Sequence, residues 1–210
     1  MLKEATSGGL LIDPSDFPDP EQDSPPGAVA EEVAVLAGGC FWCTEAVFKA
    51  LDGVSSVRSG YAGGTKATAD YRAVCSGTTG HAEAIEVRFD PRRATFGQIL
   101  KIFFSVAHDP TQLDRQGNDR GRQYRSVVFF ANESQKAVAK AYIAQLDRAR
   151  VFSVPIVTTL EPLEAFYEAE DYHQDFAARN PWQPYVVHVS NPKLEKLREH
   201  FADRLKPGAS

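Results

Sequence analysis

The stretch VAVLAGGCFWCTEAVFKAL, residues 33–51, decides how the fold begins. Its first five residues are apolar and run into Gly38 and Gly39, a pattern that predicts a buried strand. In residues 43–51 the apolar side chains recur on one helical face, which predicts a short helix. Cys40 therefore lies at a turn where a strand ends and a helix begins.

The chain beyond this stretch continues as alternating strands and helices. Residues 83–89 alternate apolar and polar side chains, as a half-buried strand does, and Thr95 with Gln98 forms a capping box in front of an apolar helix. The remaining candidates are strands at 54–61, 125–131 and 154–160, and a helix from Glu133 to about Arg148 capped by Asn132.

From Val33 to Ala131 the order is strand, helix, strand, strand, helix, strand, which is the split βαβ pattern of ferredoxin-like folds. We therefore predict an α+β fold: a two-layer domain whose mixed sheet is covered by helices, with an irregular N-terminal arm and a C-terminal extension. Residues 1–30 are rich in Pro, Asp, Gly and Ser and predict a mobile arm. Residues 31–205 predict a single domain.

The composition narrows the class of protein. Of 210 residues, 43% are hydrophobic and 24% are charged, as in ordinary globular domains. A formal net charge of -5 argues against nucleic acid as a partner. No apolar run has the length of a membrane span, and the first residues lack the pattern of a signal peptide. These features predict a cytoplasmic protein that does not bind membranes.

The chain has three cysteines, Cys40, Cys43 and Cys75. This number is too small and too uneven for a disulfide scaffold, so redox chemistry or metal binding is the usual meaning of a close pair. Cys40 and Cys43 are then a redox pair, half of a zinc site completed by Cys75 and His81, or a nucleophile beside a bystander. The spacing of Cys75 and His81 does not match a zinc finger, so we expect no metal.

Cys40 has a physical reason to be reactive. The N-terminus of a helix presents free N–H groups and a positive dipole end, both of which favour a thiolate. A small, buried, inert thiol is the alternative, since free cysteines are often buried. Phe41 and Trp42 follow directly, and two such rings either line a pocket for a small apolar group or pack in the core.

Several separate motifs then resemble those of the A-type peptide methionine sulfoxide reductases, and they occur in order from about Val33 to Val189. They are Gly39-Cys40-Phe41-Trp42, Gly60-Tyr61-Ala62-Gly63-Gly64, Tyr71 to Gly77, Thr79-Gly80-His81-Ala82-Glu83, His108-Asp109-Pro110-Thr111-Gln112, Arg115-Gln116-Gly117-Asn118-Asp119, Gln123-Tyr124-Arg125-Ser126 and Ala169-Glu170-Asp171-Tyr172-His173-Gln174.

The resemblance implies an enzyme that reduces methionine S-sulfoxide, peptide-bound and free, in the repair of oxidised proteins under oxidative stress. Cys40 would attack the sulfoxide sulfur and become a sulfenic acid, and Phe41 and Trp42 would hold the S-methyl group. Glu83 would give a proton to the sulfoxide oxygen.

Three further site residues follow from the same resemblance. Tyr71 and Tyr124 would hydrogen-bond the sulfoxide oxygen, and Asp119 would help to shape the site. No bound cofactor is expected, and thioredoxin or another external dithiol would supply the electrons.

The chain departs from the family at Cys43, where members commonly have glycine, and it lacks the recycling cysteines that many members carry near the C-terminus. We expect Cys43 to resolve the sulfenic acid through a Cys40–Cys43 disulfide, because an i, i+3 pair in one helical turn lies near disulfide distance. Direct reduction by an external thiol, or resolution by Cys75, is the alternative. A general thiol–disulfide oxidoreductase using the same pair is the competing function.

Glu83 fits the part of a proton donor on its own sequence position. It has the parity of Ile85, Val87 and Phe89, so its carboxyl is predicted to face the apolar side of the strand. Burial there would raise its pKa and keep it protonated near neutral pH. The alternative is a glutamate at the strand end that faces solvent.

Overall fold

The computed structural model describes residues 12–24 and 30–208 of the chain. The strands are β1 (Glu32–Gly38), β2 (Val54–Ala62), β3 (Ala82–Phe89), β4 (Arg115–Gln116), β5 (Asp119–Arg120), β6 (Ser126–Phe130), β7 (Thr159–Pro162) and β8 (Phe166–Glu168). The helices are α1 (Phe41–Lys49), α2 (Tyr71–Cys75), α3 (Phe96–Ile102), α4 (Glu133–Arg148), α5 (Phe176–Arg179) and α6 (Asn191–His200). Short π-helical turns extend α3 over Phe103–Ala107 and precede α6 over Val186–Ser190.

The main sheet has six strands in the order β7-β6-β1-β3-β2-β8. Its four central strands lie in the order β6, β1, β3, β2, and each pair of neighbours among them is antiparallel. β7 adds a parallel strand beside β6 at one edge, and β8 adds an antiparallel strand at the other. The predicted α+β fold, with a mixed sheet covered by helices and a split βαβ order, is confirmed.

β1 ends two residues before Cys40 and so sets the position of that residue. It lies between β3 and β6, and residues 34–38 are all buried, which explains its unbroken apolar run. A Cβ on Gly38 would lie 2.8 Å from the Phe103 ring, so only glycine lets the end of β1 pack against α3 and its π-helical turn. Gly39 has φ +87°, a left-handed conformation that glycine adopts without strain.

Local sequence signals set the starts of two covering helices, α3 and α4. Thr95 and Gln98 form the predicted capping box at the start of α3, and Asn132 accepts the backbone N–H of Gln135 at the start of α4. The apolar side chains of α3 and its extension are buried in the main core between the helices and the sheet. Both cap predictions are confirmed.

The N-terminal segment differs from the sequence expectation of a mobile arm. Residues 12–24 pack against the domain, and Phe17 is 1% exposed, with its ring edge-on to Phe152. The Tyr142 hydroxyl donates to the carbonyl of Pro18 at 3.0 Å. A single aromatic residue among prolines and aspartates did not indicate, from the sequence alone, that this segment packs against the domain. Residues 1–11 and 25–29 of the expected arm lie outside the described residues.

Two element boundaries were predicted wrongly. α1 begins at Phe41, two residues earlier than expected, so Cys40 is its N-cap residue. The strand expected at 154–160 begins only at Thr159, because Pro155 has no N–H for a ladder and Val157 donates instead to the carbonyl of Pro110 at 2.8 Å. Within residues 12–24 and 30–208, no helix has both the length and the apolar character needed to cross a bilayer.

Candidate active site

Cys40 stands at the N-cap of α1, at the end of β1, and is partly exposed. The turn in front of it is closely packed, since a Cβ on Gly39 would lie 2.6 Å from the side chain of Gln116. Gln116 is fixed in turn, because its amide donates to the carbonyl of Asp109 and accepts the N–H of the same residue. The sulfur is therefore held at a rigid strand-to-helix turn.

Glu83 lies directly beside this turn. Its carboxylate oxygen accepts the backbone N–H of Phe41 at 3.1 Å, and the residue is 2% exposed. Burial raises the pKa of Glu83 to about 8, and the charges of Asp119 and Cys43 act in the same direction. The position expected from the strand parity is thus the one observed, and the carboxyl is protonated near neutral pH.

The Cys40 thiol is in a different electrostatic state from the one expected at a helix N-terminus. Burial raises its pKa well above the ordinary value, and Cys43 and Glu83 add to the effect. The first free N–H of α1, that of Phe41, is already used by Glu83. Cys40 therefore rests as a thiol that keeps its proton.

Cys43 is the third residue of α1, and it is 1% exposed. Its sulfur is in hydrogen-bonding contact with the sulfur of Cys40, and this contact lowers the pKa of Cys43 to about 7. The charge of Lys193 and the hydroxyl of Tyr185 also favour its thiolate. All three cysteines are free thiols in this structure.

Tyr71 and Tyr124 lie close enough to Glu83 for its charge to act on both phenols. Burial raises the pKa of each phenol, and the charges of Glu83 and Cys40 act on both. Both phenols therefore keep their protons and can donate. Cys75, at the end of α2, is in hydrogen-bonding contact with Tyr71. Among the described residues, no group of three or more His, Cys, Asp or Glu side chains is arranged to hold a metal ion.

A group of aromatic side chains surrounds Trp42, two residues after Cys40. Trp42 is partly buried and stacks on Phe176, with ring centroids 3.6 Å apart and planes at 8°. Its indole N–H donates to Nδ1 of His173 at 3.0 Å, which fixes the orientation of the ring. Phe41 is 1% exposed and packs in the core against Tyr61 and His173. Of the two adjacent rings, Trp42 presents the open surface.

Asp119 joins the site through Tyr185. The Tyr185 hydroxyl donates to the carboxylate of Asp119 and is in contact with the sulfurs of Cys40 and Cys43. The edge of the Tyr185 ring meets Trp42, with centroids 6.0 Å apart. The structure thus brings all of the sequence-predicted site residues around one sulfur.

Comparison with known proteins identifies the family of this chain. The family model described as "Peptide methionine sulfoxide reductase" matches residues 32–205, which include every residue of the site described in this subsection. The chain belongs to the peptide methionine sulfoxide reductase family. The family resemblance predicted from the motifs is therefore confirmed.

The reductase has close relatives. It is 52% identical over 204 residues to "Peptide methionine sulfoxide reductase MsrA 2" of Synechocystis, covering 95% of each chain. It is 51% identical to MsrA of Deinococcus radiodurans over 185 residues, covering 88% of this chain and 89% of the relative. Its fold resembles methionine sulfoxide reductase A of Corynebacterium diphtheriae, with 32% identity, a TM-score of 0.63 and coverage of 87% of this chain and 92% of that one. Reduced Mxr1 of Saccharomyces cerevisiae gives 31% identity and a TM-score of 0.65 over 76% of this chain and 91% of that one.

Sequence reasoning missed three residues of this reductase's site: Tyr185, His173 and Phe176. Each contacts Trp42, although more than 130 residues separate it from that ring along the chain. His173 stands in one of the family motifs, but the sequence assigned it no role, and its Nδ1 accepts from Trp42. No periodicity or spacing links these positions, so the contacts arise only when α5 and the turn before α6 fold over α1.

Proposed function

We propose that this protein reduces methionine S-sulfoxide, in peptides and as the free amino acid, with Cys40 as nucleophile and Glu83 as proton donor. The observation that carries the assignment is the buried carboxyl of Glu83, which is bonded to the N–H of the residue after Cys40. A neutral carboxyl beside a thiol suits a substrate whose oxygen must be protonated while its sulfur is attacked.

The sulfoxide oxygen would lie between Glu83 and the phenols of Tyr71 and Tyr124. Glu83 transfers a proton to this oxygen, and the two phenols donate hydrogen bonds to the charge that develops on it. The raised pKa values of both tyrosines support this role, because a phenol that stays protonated remains a donor.

The Cys40 sulfur attacks the sulfoxide sulfur and forms a transient S–S bond. This bond and the S–O bond of the substrate then break as the oxygen passes to the Cys40 sulfur. The products are methionine and a sulfenic acid on Cys40. The methionine sulfur gains two electrons and the Cys40 sulfur loses two. The proton given up by Cys40 replaces the one that Glu83 transfers, so no atom is gained or lost.

Trp42 would hold the S-methyl group, backed by Phe41 from the core. The stacking on Phe176 and the hydrogen bond to His173 support this assignment, since a ring fixed on two sides can form a defined apolar wall. Asp119 acts through Tyr185, whose hydroxyl it positions next to the two sulfurs.

Recycling would proceed through a Cys40–Cys43 disulfide that thioredoxin or a similar external dithiol reduces. The N-cap position of Cys40 and the buried third position of Cys43 support this pairing, because the two thiols lie in one turn and act on each other's pKa as hydrogen-bond partners. We propose the cytoplasm as the compartment, since reducing dithiols are available there.

One turnover without reductant tests this scheme. We expect one methionine per enzyme and a Cys40–Cys43 crosslink by mass spectrometry, whereas Cys43→Ser should leave a sulfenic acid that a sulfenic-acid-specific reagent traps. Cys75→Ser is the matched control and should form the crosslink normally. Cys40→Ser should form no methionine. A persistent sulfenic acid in the wild type, or a Cys40–Cys75 crosslink, would contradict the recycling step.

The competing function is general thiol–disulfide exchange by the Cys40–Cys43 pair. It is favoured by the exposure of the two thiols, since Cys40 is partly exposed and Cys43 is buried. Thiol–disulfide exchange does not require Glu83 to donate a proton to a sulfoxide oxygen. If Glu83→Gln slows sulfoxide reduction but leaves reduction of a model disulfide unchanged, the sulfoxide is the substrate to which the site is adapted.

A further inference from the structure

Glu45 is a buried glutamate on α1, one turn after Trp42, and it is 1% exposed. Both of its carboxylate oxygens lie 3.1 Å from the backbone nitrogen of Asp175, whose N–H they accept. Lys49, one turn further along α1, pairs with the same carboxylate at 3.0 Å. A carboxylate taken out of water is costly unless such partners balance it, and no step of the proposed reaction uses this one.

The residue that Glu45 contacts begins α5, a helix of four residues that core packing does not hold in place. None of the residues of α5 is fully buried. Asp175 stands in front of the helix with φ +58°, a left-handed conformation that residues other than glycine adopt only when their surroundings hold them there. The orientation of α5 therefore depends on contacts such as the hydrogen bond to Glu45.

Phe176 is the first residue of α5, and its ring is the one that stacks on Trp42. Trp42 and Glu45 are three residues apart on α1, so they lie on neighbouring turns of one face of that helix. The same helix thus presents the indole and, one turn later, the carboxylate that holds the backbone next to Phe176. The indole and its stacked ring are therefore both anchored on α1.

We propose that Glu45 is a positioning residue: by accepting the N–H of Asp175, it holds Phe176 against Trp42 and so shapes the apolar wall for the S-methyl group of the substrate. The inference rests on the proposed function, in which Trp42 holds that group, and adds a residue to it. In this role Glu45 acts through Asp175 and Phe176 and not on the reacting atoms, so its loss should change which sulfoxides fit the site.

Two other contacts hold the same segment and must be separated from Glu45. The Asp175 carboxylate pairs with Lys49, and the side-chain amide of Gln174 exchanges hydrogen bonds with the backbone of Ser59 on β2. Glu45→Leu removes both acceptor oxygens and leaves these two contacts in place. Glu45→Gln removes the charge, and with it the ion pair to Lys49, but keeps one oxygen that can accept the Asp175 N–H. The two variants therefore separate the hydrogen bond from the charge.

The first test compares kcat/KM for a peptide methionine sulfoxide with kcat/KM for the same peptide carrying the S-ethyl homologue. A wall that fits a methyl group discriminates against one more methylene by about tenfold or more, and the ratio does not depend on how much of the enzyme is folded. In Glu45→Leu we expect this ratio to fall by about threefold or more, because Phe176 no longer supports Trp42. Glu45→Gln should keep the wild-type ratio, and so should the matched control Glu133→Leu at an exposed position.

A double-mutant cycle distinguishes action through Phe176 from a general loss of structure. Phe176→Leu alone should lower the ratio as Glu45→Leu does, and the two changes together should lower it no further than either alone. Additive losses would mean that Glu45 acts by another route and would overturn the inference, as would a wild-type ratio in Glu45→Leu. If Glu45→Leu does not fold, Glu45→Ala takes its place with the same criteria.

The fluorescence emission of Trp42 gives a second readout that needs no substrate. The chain has two tryptophans, and Trp182 is 89% exposed, so Trp182→Phe leaves Trp42 as the single emitter. In this background Glu45→Leu and Phe176→Leu should both shift the emission to longer wavelength, because water reaches an indole that has lost its stacked neighbour. Glu45→Gln should not shift it.

An unchanged spectrum in Glu45→Leu overturns the inference. A wild type that does not distinguish the S-methyl from the S-ethyl sulfoxide would instead contradict the proposed role of Trp42, and the spectra would still decide whether Glu45 positions the two rings.

Discussion

Glu83 is buried in the fold and is also the proposed proton donor. A carboxyl that is 2% exposed sits between a strand that needs apolar side chains and a helix whose first N–H it accepts. This single hydrogen bond favours the charged form, but burial outweighs it, and the pKa rises to about 8. The residue therefore keeps a proton at neutral pH beside Cys40, the proposed nucleophile.

The residue-scale prediction concerns Glu83→Gln. Glutamine can still donate a hydrogen bond but cannot give up a proton, so kcat should fall by about 10²-fold or more. In the wild type the acid form is present below pH about 8, so kcat should decline as the pH rises through that value. A kcat–pH profile checks both statements.

Glu86→Gln is the matched control, because Glu86 lies on the same strand with the opposite parity and pairs with Arg88. It should retain the wild-type profile. Near-wild-type rates in Glu83→Gln at every pH would remove Glu83 from the role of acid.

At the scale of elements, the segment 12–24 acts as a strap across α3 and α4. Asp23 accepts the backbone N–H of Gly97 at 2.9 Å and the Thr95 hydroxyl, so it supplies a carboxylate to the N-terminus of α3. Gln145 of α4 donates to the carbonyl of Asp19 and accepts the N–H of Glu21. The strap thus ties together the two helices that cover the core beside the site.

At the scale of elements, we predict that Phe17→Ala lowers the free energy of unfolding. Phe17 is buried in the main core against Phe152, and such truncations of buried phenylalanine cost about 3–5 kcal/mol in the free energy of unfolding. Urea unfolding of the full chain measures the loss. Val154→Ala, at an exposed position, is the control and should change little. If Phe17→Ala unfolds with the wild-type free energy, the strap contributes nothing to the core.

For the whole molecule, the buried acid makes stability depend on pH. The folded state keeps the Glu83 proton up to pH about 8, whereas the unfolded chain releases it near 4.5. Between these values the folded state binds more protons, so this residue lowers the free energy of unfolding as the pH rises. Other buried groups titrate nearby, such as His108, whose pKa burial lowers to about 4. A comparison with a variant is needed to isolate Glu83.

The molecular-scale prediction is that Glu83→Gln becomes more stable relative to the wild type as the pH rises from 4.5 to 8. The difference in free energy of unfolding should grow by up to about 1.4 kcal/mol per pH unit. Urea unfolding of both proteins across this range measures it. A difference that stays constant with pH would mean that Glu83 is not held protonated in the folded state.

The sequence by itself determined the features that depend on neighbours along the chain. The order of strands and helices around Cys40, the caps at Thr95 and Asn132, and the inward face of Glu83 follow from periodicity and capping, which act over a few residues. The family motifs added the set of site residues. These parts of the fold were predictable because their causes are local.

Only the tertiary structure decided the rest. The edge strands β7 and β8, the packing of the strap, the contacts of Tyr185 and His173 with Trp42, and the hydrogen bond from Asp175 to Glu45 join residues far apart in sequence. The same holds for the protonation of Cys40, where burial outweighs the helix N-terminus that favoured a thiolate. Burial and distance are set by how the elements pack, and a linear pattern carries neither quantity.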